Sequence, residues 1–186
     1  MTTDQALAED SGRSAPLRHR PTAPDHAARR RRVRDRLGDH GVDALLVTAP
    51  SNVRYLTGFT GSNGQVLLTP DHELLITDAR YDERAATEAP DLDHTLVRDW
   101  VGEAVDQAAA AGCGALGFEA AHVSWRDGER LRERGAEDKL AMRATTNAVE
   151  ALRAVKDEVE LAWLTDACRV TVDAFAALVE HVAPGM

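Results

Sequence analysis

Asp43-Ala-Leu-Leu-Val-Thr48, then Gln65-Val-Leu-Leu-Thr69 and Leu74-Leu-Ile-Thr77 around Pro70-Asp71, decide the fold class. The first is a short apolar run suited to a buried strand, and the other two read as a hairpin with Pro70-Asp71 at its turn. Outward from them the pattern alternates. A helix from about Arg80 to Glu88 precedes a strand near Leu92 to Val97. The next helix carries Trp100, Val101, Ala104, Val105 and Ala108 on one face and stops at Gly112. Ala115-Leu-Gly-Phe118 is a further strand, Ser124 caps a helix through about Glu133, and Lys139-Leu-Ala-Met142 is the last strand. Upstream, Val33 and Leu37 place Arg29-Arg30-Arg31-Arg32 on the wet face of a first helix ending near Gly41. The other reading of that run is a nucleic-acid or membrane patch. The sum is an α/β class fold, a mixed sheet flanked by helices.

The chain has 186 residues, 44% of them hydrophobic, enough for one domain with a real core and an appended segment. Residues 1–26 mix Ala, Ser, Arg and Asp with three prolines and no periodicity, and read as a flexible extension. Twenty-two Lys and Arg stand against 31 Asp and Glu, for a net charge of −9 that argues against a nucleic-acid partner. No run approaches the roughly 18 apolar residues of a membrane span, and the first thirty residues lack a signal peptide's apolar core. A cytoplasmic, membrane-free location is expected. Cys113 and Cys168 have neither metal-ligand spacing nor disulfide-scaffold density, and read as two reduced, part-buried thiols.

After residue 146 the pattern is almost purely helical. Asn147 to Ala154 reads as a short helix, and Asp157 with Glu160 three residues on resembles a capping box opening a long helix to about His181. Leu164, Ala167, Thr171, Ala174, Phe175, Leu178 and Val182 share an apolar stripe on it. Asp166, Asp173 and Glu180 recur at seven-residue intervals, away from that stripe. Metal sites need convergent ligands in a partly enclosed pocket, so the acidic row reads as a solvated face.

Catalytic templates fail. The seven histidines form no helical pair with a carboxylate, Ser62 does not stand in a GxSxG elbow, and no Lys-Ser or Lys-Thr follows Gly58, Gly61 and Gly64. What remains is the long connection from Ser51 to Gly64, with Tyr55, Phe59, Arg54, polar amides and three glycines that permit close approach of a partner. Two readings stand: a ligand-binding loop, or a glycine-rich connection under which Tyr55 and Phe59 merely pack.

Asn52-Val-Arg-Tyr-Leu-Thr-Gly-Phe-Thr-Gly-Ser-Asn-Gly64, Ile76-Thr-Asp-Ala-Arg-Tyr81, Gly117-Phe-Glu119 and Leu152-Arg-Ala-Val-Lys-Asp-Glu158, closing on Pro184-Gly185-Met186, together resemble the short bacterial Xaa-Pro aminopeptidases and dipeptidases. The likeness runs from about Arg29 to the last residue. One departure is Ala79, where the family commonly has Gly.

The resemblance implies a creatinase-like amino-terminal α/β domain over residues 27–145, and the opening helices of a pita-bread catalytic domain over 146–186. In the family that second domain binds two divalent metals, usually manganese, through residues that would lie beyond Met186. No metal ligand and no catalytic residue are therefore expected here, nor turnover by this chain alone. Relatives use the amino-terminal domain for dimer or tetramer contacts and to wall the site of a peptide with proline in second position. By that likeness Arg54, Tyr55, Phe59 and Asn63 are the candidates for capping the peptide. The chain is then the non-catalytic portion of a proline-specific metallopeptidase, partnered by a catalytic domain or by further copies of itself. The competing reading is a stand-alone peptide-binding or assembly module. In either case Trp163, Leu164, Phe175 and Leu178 are expected to fold back onto the α/β body or to drive self-association.

Overall fold

The computed structural model describes residues 23–183 and 185–186. The reading of residues 1–26 as an extension lies outside the described residues except at its end, where His26 already belongs to a helix. The described chain divides into a body, Asp25–Lys156, and a second unit that holds Asp157–Met186.

Six strands form one sheet in the body: β1 (Ala44–Val47), β2 (Gly64–Leu68), β3 (Glu73–Thr77), β4 (Asp93–Leu96), β5 (Ala115–Glu119) and β6 (Ala141–Thr145), in the order β4-β3-β2-β1-β5-β6. β2 pairs antiparallel with β1 and β3, with Leu46 opposite Leu67 and Leu67 opposite Leu74; the other pairings are parallel. The carboxyl ends of five strands and the start of β2 therefore share one edge of the sheet. The turn at Pro70-Asp71 is closed by Thr69, whose N–H and hydroxyl both bond the His72 carbonyl.

Helices cover both faces, which is why β1 and β2 read as unbroken apolar runs. On one side α1 (His26–Arg34), α2 (Pro50–Thr57), α3 (Asp82–Glu88) and α6 (Glu150–Ala154) put Val33, Val53, Leu56, Ala85 and Leu152 against Val47, Val66 and Leu75. On the other, α4 (Trp100–Ala110) and α5 (Trp125–Glu137) put Val101, Val105 and Leu131 against Leu46, Leu67, Ile76 and Leu116. Ser124 caps α5 as expected, accepting from the Asp127 N–H, and Asp99 likewise caps α4, accepting from the Gly102 N–H.

Several expectations are corrected. The stretch Ser51–Gly64 is not one loop, because its first half is α2, closed by Gly58 at φ 80°. The first helix stops at Arg34, and a 3-10 turn over Leu37–His40 carries the chain to Gly41. Arg29 and Arg30 are not on a wet face. Arg30 is 1% exposed, bonds the Leu56 carbonyl at 2.9 Å, and pairs with Glu73 and Asp91 at 2.5 Å each. Arg29 bonds the Tyr55 carbonyl at 3.0 Å. Both cations thus sit on carbonyls at the end of α2, where the helix dipole favours positive charge. The last strand begins two residues later than read, after a turn in which Lys139 has φ 57°. The final short helix begins at Glu150 rather than Asn147, which has φ 59°. Residues up to Lys156 belong with the body, because Val149 and Leu152 are packed in its core. Ala79 opens a 3-10 turn over Ala79–Tyr81 without a positive φ, so the turn requires no glycine there.

The second unit contains α7 (Glu158–Val179), opened by the expected capping box: Asp157 accepts from the Glu160 N–H at 2.8 Å and Glu160 accepts from the Asp157 N–H at 3.1 Å. No residue of α7 is buried. Asp173 and Glu180 are exposed, and Asp166 pairs with Arg169 at 3.5 Å. Cys113 is half-buried, but Cys168, on α7, is exposed rather than part-buried.

Candidate functional site

The carboxyl edge of the sheet gathers the motifs that stood out in the sequence, and in open α/β sheets this is the edge where ligands bind. Two clusters occupy it.

The first is built on Glu119, the last residue of β5, whose carboxylate is buried. Oε2 accepts from the Thr48 N–H at 2.5 Å, the Ala49 N–H at 2.6 Å and the Thr48 hydroxyl at 3.2 Å, while Oε1 accepts from Asn52 Nδ2 at 2.5 Å. The carboxylate therefore sits at the start of α2, where Ala49 offers no capping side chain. Asn52 Nδ2 also bonds Glu150 at 2.6 Å, and Asn52 Oδ1 accepts from Arg153 at 2.7 Å. One buried amide thereby ties α2, β5 and α6 together. His122 meets the Thr48 hydroxyl at 3.1 Å.

The second cluster is built on Asn63, half-buried just before β2. Its Nδ2 donates to Asp78 at 2.6 Å, its Oδ1 accepts from Gln65 Nε2 at 3.2 Å, and its carbonyl accepts the Thr77 hydroxyl at 2.5 Å. Arg80 grips Asp78 with two nitrogens, at 2.9 and 2.8 Å. Those bonds, followed by the one from Asn63, hold the Asp78 carboxyl well below its ordinary range and push Arg80 upward. Beside them lies an open cleft of about 520 Å³ lined by Asn63, Asp78, Arg80, Leu96, Val97 and Arg98. Next to it the Tyr81 hydroxyl meets Ser62 Oγ at 2.6 Å, a bond that lowers the phenol's pKa.

The four residues singled out in the sequence divide. Arg54 is exposed on α2 and engages no partner among the described residues, and Asn63 forms part of the cleft wall. Tyr55 is 8% exposed and Phe59 1%, both in the core. The Arg29 guanidinium lies 4.0 Å over the Tyr55 ring. Phe59 meets Tyr81 edge-on at 5.8 Å and fills the space above Gly61 and Gly64, where an added Cβ would stand 2.3 and 2.6 Å from its ring. Both rings are thus packed by neighbouring side chains of the body. Missed by sequence reasoning were Glu119, Asn52, Asp78, Arg80 and Arg98. The first four lie within motifs that drew attention, but their partners are 2 to 98 residues away and only the fold brings most of them together.

Among the described residues no three or more His, Cys, Asp or Glu side chains converge as a metal site, so these residues do not fit a two-metal centre. No helix among them is long and apolar enough to cross a membrane.

Comparison with known proteins accords with this architecture. The family model described as the Creatinase/Prolidase N-terminal domain matches residues 29–155. The peptidase YqhT of Bacillus subtilis, itself uncharacterized, is 29% identical over 83% of this chain and 44% of its own length. The N-terminal domain of the cytoplasmic peptidase PepQ of Mycobacterium tuberculosis is 35% identical, covering 67% of this chain and 98% of that one, with a TM-score of 0.64. The Xaa-Pro dipeptidase of Bacillus anthracis is 26% identical, covering 87% of this chain and 45% of its own, with a TM-score of 0.80. The chain spans less than half the length of YqhT and of that dipeptidase. With a mixed sheet matched over nearly all of its body, the chain belongs to the creatinase/prolidase N-terminal domain family.

Proposed function

We propose that this chain is the non-catalytic, amino-terminal portion of a proline-specific metallopeptidase of the Xaa-Pro aminopeptidase type, and that its carboxyl edge closes over the bound peptide. The observation that supports this most is the match of its body to the family's N-terminal domain together with the cleft that Asn63 lines at the sheet's carboxyl edge, with Arg54 exposed on α2. Amide hydrolysis in this reading depends on two divalent metals, manganese by resemblance, supplied by residues other than those described; no step is derived through them. What this chain contributes is shape and charge: a guanidinium on α2 to draw a carboxylate, and an amide held rigid by Asp78 and Gln65.

The test is a fusion of this chain to a related carboxy-terminal domain, assayed on an Xaa-Pro peptide with manganese. Arg54→Ala and Asn63→Ala are expected to raise KM several-fold with kcat little changed, the pattern of lost binding that is equal in ground and transition states. Unchanged KM in both variants removes the capping role.

A second reading is favoured by α7, on which Trp163, Leu164, Phe175 and Leu178 are all exposed. Such a surface is an association surface, and it supports an assembly role with copies of the chain or with a catalytic domain. Sedimentation of the chain over a concentration range tests it, since a monomer at all concentrations excludes self-assembly.

A further inference from the structure

We propose that the cleft between Asn63 and Arg98 binds the free carboxylate end of a short peptide, with Arg98 as the carboxylate's partner. This names the ligand group of the edge described above and rests on the reading of the chain as part of a peptide-handling protein.

Charge bookkeeping around the cleft singles out Arg98. It is exposed and has no partner among the described residues, although carboxylates are close in the sequence and in space. Each of those is already committed. Asp78 is held by Arg80 and Asn63, at 2.6 to 2.9 Å. Asp99, the next residue along the chain, receives the Gly102 N–H and the Arg130 guanidinium, the latter at 2.7 Å. Asp82 is paired with His94 at 2.8 Å. The cleft therefore presents one cation whose neighbours cannot neutralise it, next to a neutralised Asp78–Arg80 pair. A planar guanidinium in this setting suits a carboxylate that it can grip with two nitrogens.

Shape points the same way. Leu96 ends the edge strand β4 with 41% of its surface exposed, and with Val97 it gives the cleft an apolar wall beside Arg98. That juxtaposition suits a terminal residue whose carboxylate and aliphatic side chain diverge from one carbon. Gln65, more than nine-tenths buried, donates to Asn63 Oδ1 and leaves its own Oε1 without a donor among the described residues. The amide cannot simply be turned over, because Asn63 Nδ2 is committed to Asp78 and its Oδ1 requires a donor. The Gln65 Oε1 acceptor is buried behind Asn63 and does not line the cleft, so Gln65 senses the cleft through its bond to Asn63.

The experiment is a 15N-edited NMR titration of this chain with N-acetyl-alanyl-alanine, its C-terminal amide, and N-acetyl-alanyl-proline. The proposal expects shifts at Asn63, Gln65 and Arg98 with the free acid and none with the amide. In Arg98→Ala it expects affinity for the acid to fall about ten- to hundredfold, the loss of hydrogen bonds to a charged group; Arg98→Lys should recover part of it. Arg98 is exposed, so the substitution leaves the core intact. No shift with the acid, equal shifts with acid and amide, or unaltered binding by Arg98→Ala would each overturn the proposal. Equal binding of the alanine- and proline-ended acids upholds the carboxylate site while counting against proline preference in this cleft, so the two claims fail separately.

Discussion

Glu119→Ala removes an acceptor for four hydrogen bonds from a buried position, and the geometry gives the size of the effect. The backbone N–H groups of Thr48 and Ala49 and the Asn52 amide lose a charged acceptor together, at the start of a helix with no capping side chain of its own. Hydrogen bonds to charged groups contribute about 1.5–3 kcal/mol each, and stranded buried donors about 1–3 kcal/mol, with strong overlap between them. Allowing for water entering the space that the side chain leaves, the expected loss is about 4 kcal/mol. In urea unfolding the midpoint should fall with the slope unchanged, and the melting temperature should drop by roughly 12–16 °C for a domain of this size. Glu119→Gln is the sharper variant. Its NH₂ must face either the two backbone N–H groups or Asn52 Nδ2, and Asn52 cannot turn without losing Glu150 and Arg153. About 2 kcal/mol is expected. Combining Glu119→Ala with Asn52→Ala should cost clearly less than the sum of the two, because they share one network. A loss below about 1 kcal/mol for Glu119→Ala, or strict additivity in the pair, refutes the reasoning.

Arg30→Ala should cost about 3 kcal/mol in the same unfolding assay, since it leaves the buried Leu56 carbonyl without its donor and part-buried Glu73 with only Arg34, at 3.4 Å; a near-neutral result would mean that the ion pairs do not form. Burial lowers the pKa of His26, whose Nδ1–H donates to the Tyr55 carbonyl, and Arg29 and Arg30 lower it further. Its contribution to stability is therefore complete above the unfolded value of about 6.5 and is lost as pH falls through the folded value; His26→Gln should flatten that slope below about pH 6.5. Asp78, lowered by Arg80 and Asn63, should remain ionised below pH 3.8 in carboxyl NMR titration, and Arg80→Ala should return it toward the ordinary range.

Where local pattern and tertiary role agreed, the sequence could be read. β1, β2 and β3 are short apolar runs because helices cover both of their faces, and α7 announces itself through Asp157 and Glu160, neighbours in the chain. α2 did not, because its amino-terminal cap is Glu119, about 70 residues further on, and Ala49 has no capping side chain, which left Pro50 at the first position as the local start signal. Arg29 and Arg30 read as wet for a related reason: a run of four arginines looks solvated until the carbonyl end of α2 and the carboxylates of Glu73 and Asp91 are brought against it. β6 was displaced because it is an edge strand with mostly exposed side chains, while the buried Leu140 that drew attention belongs to the turn before it. At the carboxyl edge, the motif around Asn63 marked a residue that the fold places in a cleft wall. The aromatic residues beside it were open to two readings, since Phe59 packs over glycines that would equally have suited a ligand.

The most direct test of the central claim is release of the N-terminal residue from an Xaa-Pro peptide in the presence of manganese, measured with this chain alone and with the chain joined to a related carboxy-terminal domain. No turnover by the chain alone, with turnover restored in the joined protein, is the predicted result. Turnover by the chain alone at a rate that rises with manganese would contradict the claim that its residues shape the peptide site without performing the chemistry.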